Sequence, residues 1–329
     1  MLQKFNSMKN RARVIFMGSG EFGASILKIL IASDFSPTAV FTKPDKPVGR
    51  RQILSPSPAK KVAGDSGLKI FELNSLKNDE AEKLIKSLES DLIIVADYGK
   101  IIPKNILEIP KFGALNVHPS LLPRHRGATP IQYTILSGDN KTGVTIILMD
   151  ERVDHGPIIG ISNFQFPISK IGRLELSEKL AYLGGNLLLE TLPKWLKGKI
   201  KPVPQDETRA TFTKILTKED GKITWQNPVE KIERQIRAFE DWPGTWSEWK
   251  SGDKKLRLKI LAAEILNPKI GCAENKTPGF IFLTEQKELA VNCNPGSLVI
   301  RELQLEGKNK TTSREFLRGY PKIIGATLF

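Results

Sequence analysis

The sequence predicts a two-domain α/β protein: a Rossmann-like, doubly wound, mostly parallel sheet, followed by a small antiparallel β-barrel. Three observations carry this. The length of 329 residues exceeds one ordinary core of about 100–200 residues and suits two. Over the first two hundred residues, short β-branched runs alternate with longer helical periods, the pattern of βαβ units. Beyond residue 213, short strands punctuated by Gly and Pro take over.

Taken in order, strands are predicted at 13–17, 38–41, 69–71, 92–96, 114–117 and 144–148. Helical periods lie between them at 22–32, 59–65, 79–89 and 130–136, and a longer one at 174–192 closes this half. Gly184-Gly185 weakens that last helix, since each glycine costs about 1 kcal/mol relative to alanine. The stretch KGKIKPVPQDETRATFT, 197–213, is polar, carries Pro202 and Pro204, and has no period. The boundary is therefore expected there: one domain over 1–200, a linker over 201–213, a second domain over 214–329. The second domain offers a helix at 229–239 and strands at 256–262, 280–283, 290–293 and 298–303.

Composition excludes several classes. With 40% hydrophobic and 26% charged residues, neither a disordered nor a collagen-like chain is supported. No apolar run approaches the roughly 18 residues that span a bilayer, so no membrane role is expected. Cys272 and Cys293 alone cannot build a disulfide framework or a thiolate metal cluster, and they suit a reducing compartment. Cytosol is the expectation, with an organellar matrix as the alternative. The leader MLQKFNSMKNRAR is basic, but lacks an apolar stretch and is short for a transit peptide.

Net charge is +14, and it is uneven. Residues 1–61 carry 11 Lys or Arg against 3 Asp or Glu. Within 42–61, Lys43, Lys46, Arg50, Arg51, Lys60 and Lys61 face Asp45 alone. An anionic partner is expected at this segment; a plain solvated charge run is the alternative.

GSGEFG, 18–23, has the spacing of a dinucleotide turn between strand and helix. The second strand, however, ends FTKPDK, without the acid that would hold a ribose, so a tight βα turn competes with a NAD site. The three histidines, His118, His125 and His155, fall within forty residues of one another. His118 follows a strand, where open α/β sheets present ligands, and Asn116 points to the same side by the period of two. Asp154, after the next strand, can reach the same crevice. Such a set suits acyl transfer to an amine without a covalent intermediate. Asn116 and a protonated His118 would stabilise the oxyanion, and a carboxylate would both raise the imidazole above its usual value of about 6.5 and relay protons. Each residue also has an ordinary structural reading, as a satisfied strand-end histidine, a turn asparagine and a loop aspartate. The histidines lack metal-type spacing, so no metal is expected.

NVHPSLLPRHRGATPIQ (116–132) followed by GVTIILMDERVDHGPII (143–159) resembles the active-site signature of enzymes that transfer formyl from 10-formyltetrahydrofolate. The resemblance assigns catalysis to Asn116, His118 and Asp154. It implies folate as co-substrate beside 92–98 and Ile101, with contacts from Tyr98, Ile101, Ser120, Leu121, Leu122 and Pro123. Three further segments resemble the branch that formylates initiator methionyl-tRNA: 40–63, like its basic insertion loop, 223–246, and 297–319. That branch implies tRNA contact through Lys43, Lys46, Arg50 and Arg51, with Arg50 leading. It also implies a C-terminal OB-fold lying along the tRNA; the modest charge of that domain makes backbone contact through Lys254, Lys255, Arg257, Lys308 and Lys310 the expectation, and a monomer is expected. Trp242, Trp246 and Trp249 are expected mainly in packing. A sugar-nucleotide N-formyltransferase or a 10-formyltetrahydrofolate hydrolase is the alternative within the family. Several positions depart from its pattern: Gly20 in GSGEF where GTPEF is frequent, Asp97 in an apolar place, His125 for an aromatic, Arg152 for glycine, and His155 for a small residue beside Asp154.

Overall fold

The computed structural model describes residues 12–48, 53–165, 167–267 and 277–329. They form two compact units. The first runs to Pro130 and adds Lys141–Phe166 and Glu175–Lys214; the second comprises Ile131–Asn140, Pro167–Leu174 and Ile215–Phe329.

Eleven strands belong to the first unit: β1 (Val14–Gly18), β2 (Ala39–Thr42), β3 (Lys46–Val48), β4 (Ile53–Ser55), β5 (Lys69–Glu72), β6 (Leu92–Ala96), β7 (Ala114–His118), β8 (Arg126–Gly127), β9 (Thr142–Leu148), β10 (Ile158–Phe164) and β11 (Phe212–Thr213). Seven make the main sheet, in the order β10-β9-β7-β6-β1-β2-β5. The five from β7 to β5 run parallel, and β9 and β10 are antiparallel additions, as the mostly parallel expectation holds. VIFMG in β1 and LIIVA in β6 are buried at every position, the continuous apolar run of a strand covered on both faces. The chain order reverses between β1 and β6, the switch point beyond whose carboxyl ends such sheets place their ligands.

The helices up to this point in the chain are α1 (Glu21–Ile31), α2 (Pro58–Asp65), α3 (Asp79–Ser87), α4 (Lys104–Leu107), α5 (Pro130–Leu136), which falls almost wholly in the second unit, and α6 (Arg173–Leu196). Helix α6 runs unbroken through Gly184-Gly185, for a packing reason. A Cβ at Gly184 would come within 2.9 Å of Val117 and 3.1 Å of Val144, and one at Gly185 would strike Ile29. The two glycines let the helix lie close to the sheet and to α1, which offsets their helix cost.

In the first unit four features stand out against the sequence expectation. Strand β10 escaped because Gly160, Ser162 and Asn163 dilute its β-propensity, and it survives as an edge strand paired to β9. The hairpin β3–β4 and the one-turn α4 are too short for a periodic signal. The fourth is the expected linker at 201–213, which is bound structure: Val203 bridges Ile158, and β11 pairs in parallel with β8. Its hydrogen bonds go to loops far away in sequence, so it needs no period of its own.

The second unit holds α7 (Val229–Ala238), β12 (Thr245–Ser251), β13 (Lys254–Ile265), β14 (Ile281–Leu283), β15 (Leu289–Asn292), β16 (Ser297–Leu305), β17 (Thr311–Thr312) and α8 (Ser313–Gly319). The sheet runs β12-β13-β16-β15-β14, antiparallel throughout, with β17 added to β16. Its two edges meet on one segment. Phe329 exchanges main-chain hydrogen bonds with Glu248 of β12 at 2.9 and 3.0 Å, while Leu328 and Gly325 donate at 2.9 Å to Gly279 and to Ile281 of β14. That curls the sheet into the expected small barrel and leaves neither edge open there. Val229, Ile232 and Ile236 of α7, at helical spacing, join Trp225 and Trp249 in its core. Trp246 is buried too, with Arg257 stacked 4.0 Å over its ring, whereas Trp242 is half-exposed.

Candidate active site

Residues at the carboxyl end of β7 meet the loop that follows β9. Asn116 pairs with Ile147 and His118 with Thr145 across the two strands, so both side chains leave the sheet on one face. The loop 149–157 turns back over that face. Asp154 sits at φ +49°, a left-handed conformation that non-glycine residues adopt only when their surroundings impose it.

One carboxylate organises the cluster. Asn116 Nδ2 donates to Asp154 Oδ1 at 3.1 Å, and the Gly127 N–H donates to Oδ2 at 2.7 Å. His118 Nδ1 lies 3.6 Å from Oδ1, outside hydrogen-bond length, which leaves that nitrogen open to a third atom. His118 Nε2 lies 3.0 Å from the His125 carbonyl oxygen, which can only accept, so Nε2 carries a proton. Asn116 uses one amide proton on Asp154 and keeps the other. Asn116 is 9% exposed, His118 4%, and the Asp154 side chain 12%. In so dry a place hydrogen bonds and charges act more strongly than in water.

The connection from Ser120 to Gly127 is held by side-chain hydrogen bonds. Ser120 Oγ donates to the Arg124 carbonyl at 2.6 Å, Thr145 Oγ1 donates to the Ser120 carbonyl at 2.7 Å, and the Leu122 N–H donates to Thr145 Oγ1 at 3.1 Å. Leu122-Pro123 is cis, and His125 adopts φ +60°. Leu121 packs against Gly143 of β9.

The other expected site residues are more dispersed. Tyr98 is buried among Ile15, Met17, Ile102 and Ile106; its hydroxyl has no partner among the described residues, and burial pushes its pKa up to about 12. Ile101, by contrast, is 67% exposed. Lys46 is exposed on β3. Lys43 is half-buried beside Gly99, and burial chiefly, with Lys46 adding, lowers its pKa against the pull of Asp97. Arg50 and Arg51 lie outside the described residues.

Two departures from the family pattern explain each other. The Asp97 carbonyl accepts from Ser19 and Gly20 N–H at 3.0 and 3.3 Å, and a Cβ at position 20 would collide with the Asp97 carboxylate. Gly18 and Gly23 serve close approach to the Ala96 carbonyl. The glycine spacing thus has a packing cause.

No sequence signal marks the residues that hold the Asp154 loop from behind. Gln205 Nε2 donates to the Asp154 and Gly156 carbonyls, both at 2.8 Å. Thr211 Oγ1 accepts from the His125 N–H at 2.9 Å, and buried Arg126 binds Gln205 and Glu207. These partners lie 49 to 86 residues from what they hold. Among the described residues no group of three His, Cys, Asp or Glu could hold a metal, and no helix is long and apolar enough to cross a membrane.

Comparison with known proteins gives a consistent picture. Residues 11–192 match the formyl transferase family, and 215–321 match the formyl transferase C-terminal domain. A methionyl-tRNA formyltransferase of Rickettsia bellii is 41% identical over 308 residues, covering 94% of this chain and 97% of its own. One from Dehalococcoides mccartyi is 38% identical over 320 residues, covering 97% and 99%. Among solved structures, an N-formyltransferase of Helicobacter canadensis in complex with folinic acid and dTDP-3-aminofucose superposes with a TM-score of 0.61. At 18% identity, over 91% of this chain and all of that one, it is a likeness of fold.

Proposed function

The chain belongs to the methionyl-tRNA formyltransferase family of formyl transferases, and from that premise we propose that it moves a formyl group from 10-formyltetrahydrofolate to the α-amino group of methionine on initiator methionyl-tRNA, acting as a cytosolic monomer in translation initiation. Residues 1–200 form the catalytic domain in this reading. The C-terminal domain lies along the tRNA backbone through Lys254, Lys255, Arg257, Lys308 and Lys310. Lys43, Lys46, Arg50 and Arg51 meet the acceptor end.

Bound, the folate supplies an electrophilic formyl carbon. The residues present fit such a co-substrate: Ile101 offers an exposed apolar wall near the end of β6, and Asn116 keeps an amide proton for a carbonyl oxygen. Tyr98 contributes main chain, its ring being enclosed, and Ser120, Leu121, Leu122 and Pro123 shape the crevice. As the methionyl amine attacks, negative charge grows on the formyl oxygen. Asn116 and His118 Nδ1–H meet it from fixed positions, so little reorganisation is required as the charge forms. Asp154 takes the proton that the amine sheds and delivers it to the departing folate nitrogen as the carbon–nitrogen bond breaks, which leaves the proton count unchanged.

The observation that carries this reading is the convergence of Asn116, His118 and the Gly127 N–H on a single carboxylate. Single-turnover formylation, comparing initiator with elongator methionyl-tRNA, tests it. Rapid formylation of the initiator alone is expected. Folate turnover without formyl-methionyl-tRNA would instead direct the same site to a sugar nucleotide or to water.

A further inference from the structure

Three charged side chains close on His155, the residue after Asp154. Its Nδ1 lies 2.5 Å from Asp150 Oδ2 and 2.9 Å from a guanidinium nitrogen of Arg152, and its Nε2 lies 3.5 Å from Glu207 Oε1. Glu207 in turn accepts two bonds from Arg126, at 3.0 and 2.6 Å. The loop carrying Asp154 is therefore tied to the segment 205–213 at two points: one through Gln205, the other through His155.

The two contacts at Nδ1 exclude each other. A ring nitrogen either accepts from Arg152 through its lone pair or donates a proton to Asp150. The doubly protonated ring donates at Nδ1 to Asp150 and presents Nε2–H to Glu207, a cation between two carboxylates that joins loop to segment. The neutral ring that accepts from Arg152 lacks this charge and bridges weakly. Among the described residues, the charged groups in contact with the ring are Asp150 and Arg152 from its own loop and Glu207 from the 207–209 turn. Behind Glu207 stands Arg126 of β8, which holds the Glu207 carboxyl below the usual carboxylate range and so keeps it ionised.

We propose that His155 is a positioning residue whose protonated ring clamps the Asp154 loop to Glu207, and so fixes the Asp154 carboxylate against Asn116, His118 and the Gly127 N–H. The strained φ of +49° at Asp154 is what makes a clamp on the neighbouring residue matter, because that conformation persists only while its surroundings enforce it. The inference rests on the catalytic role given to Asp154 above. The clamp needs both ring protons, so it is made on the acid side and lost on the alkaline side.

The experiment compares the native chain with H155Q and H155K in single-turnover formylation, with the ratio of rates taken at each pH so that titration of the substrate amine cancels. H155Q is expected to be slower by about tenfold near pH 6 and within about twofold near pH 8, with the KM for methionyl-tRNA and the melting temperature unchanged. H155K, charged across this range, is expected to match the native rate near pH 6. A loss in H155Q that is the same at both pH values would mark His155 as merely structural and overturn the proposal, as would no loss at all, or an H155K that behaves like H155Q. D154N separates the two layers: if it still turns over, the role of Asp154 falls and the clamp with it. If D154N is inactive while the H155Q ratio stays flat with pH, only the clamp falls.

Discussion

The crevice at the end of β7 and the hairpin β3–β4 are both built from short stretches of polar and charged residues, yet they are held in opposite ways. In the crevice Asn116 and His118 are nearly dry and every bond of Asp154 is directed. On the hairpin, Ile53 and Leu54 are 59% and 66% exposed, and among the described residues β3 and β4 pair only with each other. A two-stranded ribbon alone is marginal in water. Its roots are fastened: Thr42 and Ser57 share a hydrogen bond of 2.5 Å and the Lys43 N–H donates to Ser19 Oγ at 3.0 Å. In the proposed reading the crevice carries the chemistry and the hairpin meets the tRNA, and the two are held by different bonds. Chemistry and recognition should therefore separate under mutation.

The largest expected effect tests that separation. D154N or H118A should cut turnover by about 100-fold or more while leaving the KM for methionyl-tRNA within about twofold, the signature of groups that act in the transition state. Loss of affinity in step with turnover would break the comparison. From the other side, K46A combined with R50A should raise the KM for methionyl-tRNA by about tenfold and flatten its salt dependence by roughly one unit of slope per lost phosphate contact, with kcat unchanged. An unchanged salt slope would remove the hairpin from the tRNA contact.

Between these lies Q205A. Removing the Gln205 amide leaves two carbonyls behind Asp154 and part of the buried Arg126 guanidinium without partners, a loss of about 1–3 kcal/mol of stability. Turnover should fall by about fivefold through the displaced Asp154 loop, and thermal unfolding should record the stability loss. A stable but equally slow variant would mean that Gln205 acts on substrate.

What the sequence revealed follows the same division. The parallel sheet was legible because β1 and β6 are apolar throughout, and Asn116 and His118 because two residues on one strand, β7, share a face by local geometry alone. Asp154 could be placed because the chain returns along β9 beside β7. Gln205, Glu207 and Thr211 could not, since a hydrogen bond across 49 or more residues leaves no period, and their surroundings, rich in proline and polar side chains, look like a linker. The continuity of α6 was obscured for a related reason: the value of Gly184 and Gly185 lies in what they approach, Val117, Val144 and Ile29, and a sequence shows only what they cost the helix. The hairpin is the reverse case. Its charge was plain, but its form depends on three-residue strands too short to carry a pattern.

The smallest expected effect asks how far the crevice's kind of order reaches into the hairpin. Lys60 of α2 donates to Asp45 Oδ1 at 2.7 Å and to Glu72 Oε2 at 2.9 Å, tying the entry of the hairpin to β5. Asp45 first and Glu72 second hold the Lys60 ammonium above its ordinary value of 10.5. Because the folded value is raised, the tie is fully made below 10.5 and weakens only as pH rises through the raised value, so it is complete throughout the neutral range. K60M removes it without touching the roots at Thr42 and Ser57. Since pairs this near the surface contribute little, the KM for methionyl-tRNA should rise by no more than about threefold, with kcat and melting temperature nearly unchanged. A tenfold change would mean that the hairpin is held from its base as firmly as Asp154 is held from behind, and that the two regions differ in exposure but not in kind.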